Sequence, residues 1–156
     1  MMNIKMENEK FKIERPPADI FFGIFAILAG FVLPLILIPI IKFTGYSEVV
    51  EELAKALVIL FLILKLPNHR IQILIGAAFG FLFGFSENCL YLNQIFQLGD
   101  MSVFWQRFLW TVPMHIITVL VMVFAGISKK WLLILGLIGA IFLHIIFNFF
   151  AVGLLV

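Results

Sequence analysis

The chain has 156 residues, of which 63% are apolar and 13% charged, with 11 basic against 9 acidic residues and a mean hydropathy of +1.16. Soluble domains are about 45–50% apolar and about 25% charged, so one small domain could not hide this much Phe, Ile and Leu from water. That excludes a soluble enzyme, a disulfide framework resting on the single Cys89, and a nucleic-acid binder at a net charge of only +2.

The first 19 residues form a polar tail carrying Lys5, Lys10, Lys12 and Arg15. The apolar run after it, Ile20 to Ile41, exceeds the roughly 7–15 residues of a signal-peptide core, and no small-residue cleavage site follows. It reads as an uncleaved anchor whose far end bends at Pro34 and Pro39. A spanning helix needs about 20 apolar residues. Ile71 to Leu92, Phe104 to Gly126 and Trp131 to Val156 meet that length.

The segment between the first two runs is ambiguous. Ala56 to Leu66 covers half a bilayer, and extending it back to Ser47 takes in Glu48, Glu51, Glu52 and Lys55. An interfacial helix is the simple reading. Loop charge argues against it. With five spans, eight of the eleven basic residues share the side of the amino terminus, including Lys65, Arg70, Lys129 and Lys130. Only Lys42 and Arg107 lie opposite, and Lys55 lies in the membrane. With four spans, five remain inside. The positive-inside rule prefers five spans, a cytoplasmic amino terminus and an extracytoplasmic carboxyl terminus. The expected fold is therefore all-α: residues 1–19 as a cytoplasmic tail and residues 20–156 as a five-helix domain of a multi-pass cell-membrane protein.

Antiparallel spans fix depth. Glu51 and Glu52 fall about one turn below the outer end of the second span, and Glu87 and Asn88 about two turns below the exit of the third. His115 lies roughly 15–18 Å below the start of the fourth span. His144 falls mid-span on the fifth, with Asn148 one turn farther out. Carboxylates, imidazoles and an amide from four spans thus share the outer half of the membrane. An intramembrane His alone is often an interhelical hydrogen bonder, and Glu51 with Lys55 is a self-neutralising i, i+4 pair. Glu87 resists that reading, because no cation lies near it in sequence.

Adjacent Glu51 and Glu52 point about 100° apart, so one can face a site while the other orients Lys55. Glu87 with Tyr91, and His144 with Asn148, stand one turn apart. Two His and one or two Glu make a zinc set with an open position: Glu87, His115 and His144 as ligands. The same groups without metal could run general-base hydrolysis, a Glu taking the proton from water and His and Asn stabilising the oxyanion. Both mechanisms stand at this point. Gly76, Gly80 and Gly84 read as a packing face that fixes Glu87, and Trp105, Trp110 and Trp131 as interfacial anchors.

Three ordered elements resemble the PrsW family of intramembrane proteases, within the group that includes the CAAX prenyl proteases. Glu51-Glu52-Leu53-Ala54-Lys55 matches EExxK, Phe83-Gly84-Phe85-Ser86-Glu87 matches FxxxE with Asn88 and Tyr91 following, and His144-Ile145-Ile146-Phe147-Asn148 matches HxxxN, with His115 between. The resemblance implies hydrolysis of a peptide bond of a membrane protein, site-1-type, with a membrane-bound anti-sigma factor as the bacterial example. It implies a water-activating glutamate from the first element, His residues at a metal or oxyanion, and Lys55, Asn88 and Asn148 in support. Family members commonly have more spans, so the chain is either a minimal core or completes its wall as a homo-oligomer. Two other classes compete. A non-catalytic scaffold would copurify with a partner and lose stability when the cluster is mutated, and a small Glu/His transporter would pass ligand across liposomes.

Overall fold

The computed structural model describes residues 17–154; of the tail expected over 1–19, residues 1–16 lie outside the described residues. Six helices follow in order: α1 (Pro17–Thr44), α2 (Ser47–Lys65), α3 (His69–Leu90), α4 (Leu92–Leu98), α5 (Ser102–Ser128) and α6 (Leu133–Leu154). A 3₁₀ turn, Lys130–Leu132, precedes α6, and no strand occurs among the described residues. The fold class expected from sequence is the one observed. The first helix begins at Pro17, inside the segment assigned to the tail. The short α4 had no counterpart in the sequence reading.

Local chemistry explains the ends. Gly45 and Gly99 both take φ +73°, where residues with a Cβ are strained, and each stops a helix. Gly45 N–H donates to Ile41 O at 2.8 Å as the chain turns. After Pro67, the Asn68 side chain accepts Arg70 N–H at 2.9 Å and Ile71 N–H at 3.4 Å, starting α3. Ahead of α5, Asp100 accepts Ser102 N–H at 2.8 Å, and the Ser102 side chain together with this N–H holds its carboxyl below the usual carboxylate range.

The long helices run up and down. α1, α3, α5 and α6 are long and apolar enough to cross a membrane. α2 carries too many charges for that test, yet it lies antiparallel along α1: Lys65 sits 5.6 Å over the Phe22 ring near the start of α1, while Ser47 and Lys42 border one cavity at the other end. Its 19 residues rise about 28 Å. Its charges are turned inward, with Glu52 and Lys55 fully buried and Leu57 and Leu64 exposed.

The core joins Phe79 and Phe83 of α3, Ile59 and Leu62 of α2, and Val119 and Met122 of α5. The outer surface is apolar all round, as a lipid-facing bundle requires. Close backbone approach sets α3 against α5: a Cβ at Gly80 would stand 2.8 Å from the His115 carbonyl oxygen, and one at Gly84 3.0 Å from Val112 Cα. This seam fixes the height of Glu87 relative to His115.

Candidate active site

Three residues of α2 supply the floor of the site. Glu51 and Glu52 are neighbours on one turn of α2, Lys55 follows one turn later, and all three are buried. Lys55 Nζ donates to Glu52 Oε1 at 2.8 Å and to His115 Nδ1 at 2.7 Å, and stands 4.2 Å from the centre of the Phe83 ring. Its ammonium has donors only, so Nδ1 of His115 must accept, which leaves the hydrogen on Nε2. That nitrogen donates to Glu87 Oε2 at 2.5 Å. On α6, His144 donates from Nδ1 to Glu52 Oε1 at 2.8 Å. The Nε2 lone pair of His144 is thereby left for another partner, and a carboxylate fixes the ring. The two imidazoles meet at right angles with centroids 5.3 Å apart.

The five residues singled out from sequence, Glu51, Glu52, Glu87, His115 and His144, therefore come together from α2, α3, α5 and α6. They do not play equal parts. Glu52 is sealed inside, with no exposed surface, whereas Glu51 and Glu87 line a cavity of about 340 Å³ that opens beside α1. Glu51 Oε2 is buried without a hydrogen-bond partner, its nearest cation being Lys55 at 4.0 Å. Glu52 Oε2 is buried and unpartnered as well.

Among the supporting residues, Lys55 sits at the centre and Tyr91 forms part of the cavity wall. Asn88 points elsewhere: it is fully buried and donates to Phe104 O at 3.4 Å, tying α3 to the start of α5. Asn148 donates to Glu48 Oε1 at 2.8 Å, one turn outward of the cluster. Arg107 was read from sequence only as a topology charge. Its guanidinium stacks 4.0 Å over the Tyr91 ring and reaches within 4.0 Å of Glu87 Oε1. The signal for it was its place two turns before His115 on the same helix.

The donor set fits a divalent cation once His115 exchanges its Nε2 bond to Glu87 for the metal. One ligand atom each from Glu51, His115 and His144 lies within 4.8 Å of the others. Glu51 thus stands where the sequence reading put Glu87, which is turned instead to His115 Nε2 and toward Arg107. Three carboxylates, Glu51, Glu52 and Glu87, stand with two cations, Lys55 and Arg107, so the third carboxylate calls for either a proton or a further cation. Two His, one carboxylate and a cavity beside them form the arrangement of catalytic zinc sites, which keep an open position.

A family model, described as PrsW family intramembrane metalloprotease, matches residues 21–155. The chain belongs to that family. Comparison with curated proteins and with solved structures returned no match. Membership makes the protein an intramembrane metalloprotease, and the four apolar helices make it a multi-pass membrane protein whose substrates meet it in the lipid phase. In a metalloprotease family, the Glu51, His115 and His144 trio is a group positioned to bind a metal.

Proposed function

We propose that this PrsW-family protein cleaves a peptide bond of a membrane-protein substrate in the outer half of the bilayer, with zinc held by Glu51, His115 and His144. The observation that carries the reading is the buried, unpartnered oxygen of Glu51, which stands beside two imidazoles and borders an open cavity. Zinc bound there would supply Lewis-acid polarisation of the scissile carbonyl and activation of water.

The remaining work falls to the chain itself. Glu52 fixes the His144 ring through Nδ1, and Lys55 balances Glu52 while holding His115 at Nδ1. To ligate zinc, His115 would give up the Nε2 hydrogen and its bond to Glu87. Glu87, which borders the cavity, would then be free to take the proton of the attacking water as the general base. That proton then passes from Glu87 to the leaving amine, so the carboxylate is restored at the end of each cycle. Arg107 stands beside Glu87, 4.0 Å from its Oε1.

α2 is the fifth crossing in this reading, and the amino terminus is cytoplasmic. Lys65, Arg70, Lys129 and Lys130 then share the cytoplasmic side with the basic tail, and the site faces outward. A membrane-anchored regulator such as an anti-sigma factor is the substrate in keeping with that orientation. The test is cleavage of a single-span reporter by the purified protein in liposomes, with metal analysis of the same sample. Zinc at one per chain, and activity lost to chelator and restored by zinc, are expected. Full cleavage by the His144→Ala protein would overturn the assignment.

A further inference from the structure

The cavity in front of Glu51 and Glu87 has a shape and a rim that restrict what can enter. One wall is a face of α1 at helical spacing, Pro34, Ile38 and Ile41, and the opposite wall is Leu90 and Tyr91 of α3. α1 is fastened to α3 just below this opening. Ser86 Oγ donates to Phe31 O at 2.7 Å, and a Cβ at Gly30 would stand 3.0 Å from the Phe79 ring. Beyond that clasp Pro34 interrupts the ladder, and the two helices leave the gap between them.

The cavity is open on one side and holds about 340 Å³, room for one or two side chains of a chain lying across its mouth. The rim decides the charge. Lys42 is exposed at the edge of the cavity and makes no ion pair among the described residues. It is the cation of the lining, while both acids of the lining, Glu51 and Glu87, lie at the depth of the catalytic cluster.

We propose that the cavity receives an apolar stretch at the outer membrane boundary of the substrate, and that Lys42 selects substrates bearing a carboxylate just outward of the cleaved bond. The apolar side chain rests against Ile38, Ile41 and Leu90, which leaves the scissile carbonyl above Glu51 and Glu87. This rests on the hydrolase reading above, yet it concerns which chain is held rather than what is done to it. Lys42 also lies in the last turn of α1, where a cation complements the helix dipole. A dipole role would alter stability and leave substrate charge preference untouched.

The experiment traps the occupant. Two single-span reporters carry the same Leu-Ala span and the same Gly-Ser-Val stretch with one cysteine, followed by either Glu or Lys. Each is mixed in liposomes with the full chain bearing Cys89→Ser and Ile38→Cys, and disulfide trapping is quantified while cleavage by the parent chain is followed in parallel. The Glu reporter should be trapped about fivefold more than the Lys reporter at low salt, and the preference should fade at high salt. Adding Lys42→Glu should reverse it. Equal trapping of both charges, no reversal, or no trapping at all overturns the proposal. Charge-dependent trapping without cleavage would keep the cleft and remove the hydrolase reading, and cleavage without charge-dependent trapping would do the opposite.

Discussion

In the orientation proposed above, the inner and outer halves of the bundle are built on opposite rules from the same helices. In the inner half α3 meets α5 across Gly76 and Gly80, a Cβ on Gly76 would stand 2.9 Å from Val123 Cγ2, and the contacts are apolar side chains. In the outer half α3 carries Glu87 and Tyr91, α2 carries Glu51, Glu52 and Lys55, and the space between α1 and α3 is left open. Close small-residue packing below fixes the relative height of helices whose polar groups must meet above. Without that base, Glu87 and His115 would not stay within hydrogen-bond distance in a medium that offers no water to compensate.

If the outer half holds the chemistry, its variants should stop turnover and spare the fold. Glu51→Gln, Glu87→Gln and His144→Ala should each lower cleavage at least about 10³-fold, with thermal melts in detergent close to the parent. Comparable activity in any of them would blur the distinction between the halves. Glu52→Gln tests the layer behind. Because Glu52 fixes His144 through Nδ1, its loss should weaken zinc affinity by about 10–100-fold, read from chelator competition. Unchanged affinity would mean that Glu52 serves only Lys55.

The inner half should answer in the other currency. Gly80→Leu drives a side chain into the His115 backbone, which cannot move aside as a flexible side chain would. About 1–3 kcal/mol of stability should be lost, and activity should fall only as far as His115 is displaced. A melt unchanged from the parent would show that the seam is looser than its distances.

Much of this division was legible in the sequence, and the part that was not has a physical cause. The apolar runs gave the helices to within a few residues, since length and hydropathy decide what crosses a membrane. The shared depth of Glu51, Glu52, Glu87, His115 and His144 followed from rise per residue once the helices were antiparallel. Depth does not give rotation. Asn88 and Asn148 lie at heights near the cluster but are turned to Phe104 and Glu48. The exchange of Glu51 for Glu87 in the metal-spaced set is likewise a matter of azimuth, decided by side-chain packing. Arg107 escaped because a cation near a helix end looks the same whether it faces headgroups or a buried carboxylate. The short α4 escaped because seven residues carry too little periodic signal.

The smallest expected effect lies where the two halves join. Ser86 Oγ to Phe31 O, at 2.7 Å, crosses between α3 and α1 immediately below Pro34. Ser86→Ala removes one interhelical bond, and such bonds average about 0.6 kcal/mol in membrane bundles, so the melt should shift by a few degrees at most. Its effect on turnover should still be measurable. The bond ends the packed part of α1 and begins the wall of the cleft, so its loss lets that wall move without touching Glu51, Glu87 or the histidines. KM for a reporter should rise while kcat and zinc content hold. A fall in kcat at constant KM would instead tie the clasp to the chemistry, and the boundary between base and site would then lie lower in the bundle than Phe31.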